Sequence, residues 1–188
     1  MTLIHLPTTG YKITCPPTIL PTSDWNKITL VGEAAGSTEV NWWECSNCHL
    51  GRPYPGGCPT CNILFQHKPQ GFVGASGNML AMICRNAGID FSKCNRSNVV
   101  KQWPGKGKDF GIYYRDPKKR TEPTEELLWW RQLLIAEITK YKPNTVVALG
   151  NEALRALTNV DGITKWQGSI LESDKIPGLK VIPAVHPA

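Results

Sequence analysis

Four cysteines fall within 17 residues, in the stretch "CSNCHLGRPYPGGCPTC": Cys45, Cys48, Cys58 and Cys61, spaced C-x2-C-x9-C-x2-C. Each C-x-x-C pair can sit on a tight turn that points both thiolates at one ion, and Gly56-Gly57 with the neighbouring prolines keeps the linker compact. The chemistry expected is a closed tetrahedral thiolate site. Zn2+ in a structural role fits it, with iron, mononuclear or as a cluster, as the alternative. The ion would hold together an insert, residues 41–69, that is too small to fold by itself. Cys15, Cys84 and Cys94 show no pairing pattern, and Cys84 falls on an apolar helical face as a core residue would.

A second group of candidates is acidic. In "KITLVGEAAGSTEV", residues 27–40, an apolar run stops at Gly32, Glu33 follows at once, and Glu39 comes six residues later. Parallel α/β sheets hold ligands beyond the carboxyl ends of their strands, where small residues leave the backbone open. Three further positions stand at such places: Asn98, Gly150-Asn151 and His186.

The elements that must position these groups alternate. Residues 27–31, 97–100, 145–150, 167–172 and 178–187 read as strands. Residues 77–89 carry Met79, Leu80, Ile83 and Ala87 at helical spacing. A long helix is expected from an N-cap at Thr124 to a stop before Pro143, and another over 151–159. The pattern predicts an α/β fold: a three-layer αβα sandwich with a mainly parallel central sheet, interrupted by a zinc-ribbon-like knuckle. Residues 1–26 read as an irregular Pro-rich lead-in and 27–188 as one domain.

Composition fits a globular chain of 188 residues, 41% apolar and 19% charged. No apolar run is long enough to span a membrane, and the N-terminus lacks the pattern of a signal peptide, so a cytoplasmic location is expected. The formal charge of +6 and pI near 9.0 favour a polyanionic partner. Residues 101–120 concentrate Lys101, Lys106, Lys108, Arg115, Lys118, Lys119 and Arg120, with Trp103, Phe110, Tyr113 and Tyr114 interleaved. This is either a single-strand contact surface, by charge plus stacking, or a solvated loop.

Five collinear segments carry a resemblance: "VGEAAGSTE", "GFVGASGNMLAMICRNAGI", "SNVVKQWP", "PTEELLWWRQLLIAEITKYKPNTVVALGNEALRAL" and "VIPAVHPA". They resemble, in order, the motifs of the uracil-DNA glycosylase superfamily, in the branch called family 4. The resemblance implies hydrolysis of the N-glycosidic bond of uracil, or of a related modified pyrimidine, flipped out of DNA. Phe72 would stack on the extruded base. Asn98 would read it, its amide accepting from N3–H and donating to O4. His186 would donate to O2 of the departing uracil. Glu33 would position water, and Glu39 would line the pocket near C5. Backbone at Ala34 and Gly36, and at Gln167 and Gly168, would approach DNA phosphates, with Lys101, Lys106 and Lys108 nearby. Trp42, Trp43 and Arg52 either pack the insert on the main domain or touch DNA.

The sequence also departs from that branch. The family's iron–sulfur cysteines are replaced by Gln102 and by the region of Trp129-Trp130, and only Cys15 stands near the N-terminus, so no 4Fe-4S cluster is expected. Ala35 replaces the motif's proline and "HPA" its "HPS". The chain ends where the family continues, so a C-terminally truncated piece is expected. Similar domains precede some bacteriophage DNA polymerases, which suggests fusion to, or work beside, a polymerase on uracil-containing, single-stranded or locally opened DNA. A different class of function is also consistent: a catalytically weak module that senses uracil or a modified base without cutting.

Overall fold

The computed structural model describes residues 10–187. The first nine residues of the lead-in, and Ala188, lie outside the described residues. Five strands form the main sheet: β1 (Ile28–Ala34), β5 (Asn95–Val100), β6 (Thr145–Leu149), β7 (Leu171–Glu172) and β8 (Lys180–Ala184), in the order β5-β1-β6-β8-β7. The first four in that order run parallel and β7 closes one edge antiparallel. The chain starts in β1, crosses to β5 on one side, then returns to β6 on the other. The switch point, where open sheets of this kind bind ligands, is therefore the end of β1.

Both faces of the sheet are covered, which is why its strands are apolar runs rather than alternating ones. On one face Leu30 and Leu149 pack with Leu80 and Cys84 of helix α2 (Gly74–Asn86) and with Phe72. On the other, Val31, Val99, Val146, Ala148 and Val181 meet α3 (Glu125–Tyr141) and α4 (Asn151–Leu157). Helix α3 presents Leu127, Trp130, Leu134 and Ile138, a stripe at spacings of three and four that is almost wholly buried. It starts as its sequence dictates: the Thr124 hydroxyl accepts the Leu127 amide at 3.3 Å, and Glu125 and Glu126 lie in the first turn. It ends on Lys142 in a left-handed conformation, just before Pro143.

The expected three-layer arrangement is the observed one, with local corrections. Helix α2 turns its Gly77–Leu80–Cys84 line inward, while Met79 and Ile83 are about half exposed, so the buried face is rotated from the predicted one. The strand expected over 167–172 is only Leu171–Glu172, because the chain turns at Gln167 and Gly168, with Gly168 at positive φ, on leaving a short helix, α5 (Ile163–Trp166). β5 begins two residues earlier than predicted and β8 is shorter.

The insert departs from β1 through a short helix, α1 (Ser37–Val40). It makes its own small antiparallel sheet from β2 (Trp43–Glu44), β3 (Gly51–Arg52) and β4 (Gln66–His67), in the order β3-β2-β4. The lead-in has little regular structure but is tied down. Thr18 bridges Arg96 on the outer edge of β5, the amides of Thr14 and Cys15 donate to the Lys101 carbonyl, and Tyr11 stacks near Trp129 and Trp130. Among the described residues no helix is long and apolar enough to cross a membrane.

Candidate active site and metal centre

At the end of β1 the chain has no side chain to spare. A Cβ at Gly32 would overlap Oδ1 of Asn98 and lie 2.9 Å from Cζ of Phe72. Asn98 is the register partner of Gly32 across the β1–β5 ladder, so its side chain falls on the same face. The glycine thus forms a bare floor on which an aromatic ring tip and an amide converge. Gly71 is the other wall, with a position for Cβ 3.4 Å from Nδ2 of Asn98. Phe72 is 5% exposed and Asn98 4%.

Phe72 is held there under strain. Its φ is 60°, a region that bulky residues avoid. Two features over-determine it. Its amide donates to a carboxylate oxygen of Glu39. Its carbonyl occupies the space where a side chain on Gly77 would stand, so the first turns of α2 can pack against it only because residue 77 has none.

Glu33 faces the opposite side of the sheet, as alternation along a strand requires. Its carboxylate fills the space beside Gly150, where a Cβ would lie 2.9 Å from Cδ of the acid, and it accepts the Glu152 amide at 3.3 Å. Burial pushes its pKa above the ordinary 4.5. The Glu152 carboxylate pushes the same way, while the Glu152 amide, His186 and Arg120 pull it down. His186 thus lies within electrostatic reach of Glu33. The backbone explains this: Gly150 donates to the Ala184 carbonyl at 2.9 Å, locking the end of β6 to the end of β8 just before His186. The structure therefore brings Phe72 and Asn98 together on one face at the end of β1 and sets Glu33 on the other, with His186 two residues past the end of β8.

A buried network behind Glu33 carried no signal in the sequence. Glu152 is 1% exposed, accepts from Tyr114 at 2.5 Å, and is surrounded by Arg155 at 3.0 Å, Arg131 at 3.6 Å and Arg120 at 3.9 Å. Its partners come from the 101–120 loop, α3 and α4, so no local spacing could announce it.

Several expected roles need correction. Both oxygens of Glu39 are spent, one on Phe72 and one on the Gly36 amide at 2.7 Å, and burial raises its pKa. It forms a clasp on the Phe72 loop. That bond also occupies the Gly36 amide, and Ala35 donates to Val100, so this turn offers a phosphate little beyond Ala34 at the strand end. The Gly168 amide is taken by the Pro183 carbonyl, although Gln167 and Gly168 are both exposed. Lys101 cannot reach DNA: it is fully buried, its ammonium 3.1 Å from Glu137. Burial lowers its pKa while Glu137 raises it. In the same loop Lys106 and Lys108 are exposed, but Phe110, Tyr113 and Tyr114 are buried core rather than a stacking surface.

In the insert, the four Sγ atoms all lie within 4.8 Å of one another. The two C-x-x-C segments repeat one backbone pattern. Cys45 donates to Leu50 O and His49 to Cys45 O; Cys58 donates to Ile63 O and Asn62 to Cys58 O. His49 and Asn62 both take positive φ, 58° and 54°. The Cys48 amide points at Sγ of Cys45 and Nδ2 of Asn47 at Sγ of Cys61, donors that suit thiolates more than thiols. The four cysteines can hold one metal ion, and a soft, closed sulfur set of this kind suits a structural ion. Arg52 does not face outward for DNA. Its guanidinium stacks on Phe65 and Tyr54.

Fold and rim together define a three-layer α/β protein with an aromatic ring, an amide and buried acids gathered at its switch point. Comparison with known proteins makes the class specific. A model of the family described as "Uracil DNA glycosylase superfamily" matches residues 26–188, and the chain belongs to that superfamily. It is 36% identical over 121 residues to a type-4 uracil-DNA glycosylase of Thermotoga maritima, covering 62% of this chain and 55% of the relative. It is also 32% identical over 121 residues to a DNA polymerase of Bacillus phage SP01, covering 64% of this chain and 12% of that polymerase. The chain thus spans about half the length of the first relative and a small part of the second.

Proposed function

We propose that the protein hydrolyses the N-glycosidic bond of uracil, or of a closely related pyrimidine, extruded from DNA. The observation that carries this is the convergence of Phe72 and Asn98 over Gly32, at the end of the strand that also carries Glu33. A pyrimidine entering beside this pair would have the Phe72 ring against its plane and the Asn98 amide at its edge. An amide offers one acceptor and one donor, which matches N3–H and O4 of uracil and mismatches cytosine. As the bond breaks, negative charge grows on the base and positive charge on the sugar. His186 would donate to the base oxygen, and Glu33 would take a proton from water or offset the sugar's charge. Its raised pKa keeps the proton-accepting form for pH above the ordinary carboxylate range.

The exposed Lys106 and Lys108 would contact phosphates of single-stranded or locally opened DNA. The insert would carry structural Zn2+. Its place in the chain, directly between Glu39 and Phe72, makes it a brace for the pocket wall: Gln70 links the Glu44 carboxylate at 3.1 Å to the Glu39 carbonyl at 3.2 Å. Packing of Tyr11 on Trp129 and Trp130 ties the lead-in to α3. The stretch matching a phage polymerase supports work within or beside a replication enzyme.

The test uses a single-stranded oligonucleotide with one uracil, followed by alkali and a gel. Strand breaks are expected at uracil only, reduced about a hundred-fold or more in Asn98→Ala and His186→Ala, the order of loss when one stabilising donor is removed. Uracil-specific binding with no breaks would replace this reading by that of a base sensor.

A further inference from the structure

A lysine that sequence placed on the DNA is instead sealed inside the protein, directly beneath the base-reading amide. Lys101 has no exposed surface. Its ammonium donates to the main-chain carbonyl of Asn98 at 2.6 Å and lies 3.1 Å from Oε2 of Glu137 on α3. Ser97 donates to the same Glu137 oxygen at 3.1 Å. The Lys101 carbonyl in turn accepts the amides of Thr14 and Cys15, at 3.0 and 2.9 Å, from the lead-in.

The topology explains why a donor is needed. β5 is the edge strand of the main sheet, paired with β1 on its inner side. On the outer side the lead-in pairs with Arg96 through Thr18, and among the described residues no strand continues that pairing to residue 98. A dry carbonyl there requires a partner, and burying an ammonium to supply one is costly unless both its charge and its hydrogen bonds are answered. Glu137 and Asn98 answer them.

We propose that Lys101 is a positioning residue for base recognition: by gripping the Asn98 carbonyl from inside, it fixes where β5 presents the Asn98 side chain against Gly32 and Gly71. This rests on the reading that Asn98 contacts the base. It adds a link from the lead-in and α3 to the pocket, through a residue that touches no ligand.

A double-mutant cycle tests it, on wild type, Asn98→Ala, Lys101→Met and the combination. Uracil release is measured in single turnover, with a thermal melt for each protein. A residue acting through Asn98 loses its effect once Asn98 is gone. Lys101→Met should slow release about ten-fold or more alone, yet no more than about two-fold further in the Asn98→Ala background. The Asn98 side-chain amide signal in a 15N–1H spectrum should also move in Lys101→Met. If Lys101→Met does not fold, Lys101→Met with Glu137→Leu removes both buried charges together and enters the cycle in its place. Losses that multiply, a wild-type rate in the lysine variant, or an unmoved Asn98 signal would overturn the inference while leaving the glycosylase reading intact. A wild-type chain that neither releases nor binds uracil would overturn both.

Discussion

Two regions of this molecule gather buried or half-buried anionic groups, and they stabilise them differently. The insert collects four thiols whose Sγ atoms lie within 4.8 Å of one another, a set that only a cation can turn into a stable group of thiolates. The end of β1 collects Glu33 and Glu39, and there the answer is backbone. Glu152 donates to the first acid, and Gly36 and Phe72 donate to the second. Amide donors only partly replace water, so burial still raises both carboxyl pKa values. The first arrangement calls for a cation; the second holds its carboxylates on backbone amides.

Removing the metal should separate the two regions most visibly. The insert buries little apolar surface beyond Phe65 and its own cysteines, while Leu50, Ile63 and Leu64 are well exposed. Its stability should therefore be metal binding, on the order of 10 kcal/mol or more for a structural zinc site. Strong chelator or Cys58→Ser is expected to strip hydrogen-exchange protection from the amides of Cys45, His49, Cys58 and Asn62. Those of β1 and β6 should stay protected. If protection in β1 and β6 fell in step, the two regions would be one cooperative unit and the contrast between them would fail.

A smaller effect is expected at the other region's floor. Gly32→Ala puts a methyl group where Asn98 and Phe72 meet. Overpacking of this kind costs about 1–3 kcal/mol. Urea denaturation should show that loss, and uracil release should fall far more than stability does, because the methyl displaces the amide and the ring that would hold the base. Wild-type activity in Gly32→Ala would mean that the base lies elsewhere.

The two regions also differed in how far the sequence revealed them. The insert was legible because its ligands are local: two C-x-x-C pairs and a short linker state the geometry. The sheet was legible too, since apolar runs closed by glycine mark its strands, although β1 continues past Gly32 to Ala34. The partners assembled across those ends were not. Lys101 reads as a surface lysine in a basic loop, and only the folding of residues 14–15 and α3 around it makes it internal. Tyr114 reads as a stacking aromatic, yet it hydrogen-bonds buried Glu152, 38 residues away. Glu39 reads as an acid lining the pocket, and nothing in its sequence context says that both its oxygens meet amides that only the tertiary fold brings near. Residue type and spacing report local geometry well; they do not report which polar groups a fold will enclose.

The smallest expected effect concerns Glu33. Its folded pKa lies above its ordinary value of 4.5, so its ionisation opposes folding. Below the ordinary value the acid is neutral in both states and costs nothing. As pH rises through the folded value, the charged form must be held in a half-dry site, and stability declines. Glu33→Gln keeps an oxygen for the Glu152 amide but never ionises. The variant and wild type should therefore be close in stability at about pH 4, with the variant the more stable at about pH 7, by less than the change at Gly32. Paired urea titrations at the two pH values read this directly. The same shift predicts that wild-type uracil release weakens on acidification while the pH is still above the ordinary carboxylate range, because the proton-accepting form is lost early. A variant less stable than wild type at neutral pH would show that the amide and Arg120 outweigh burial, and that this acid, like the cysteine cluster, is fully compensated.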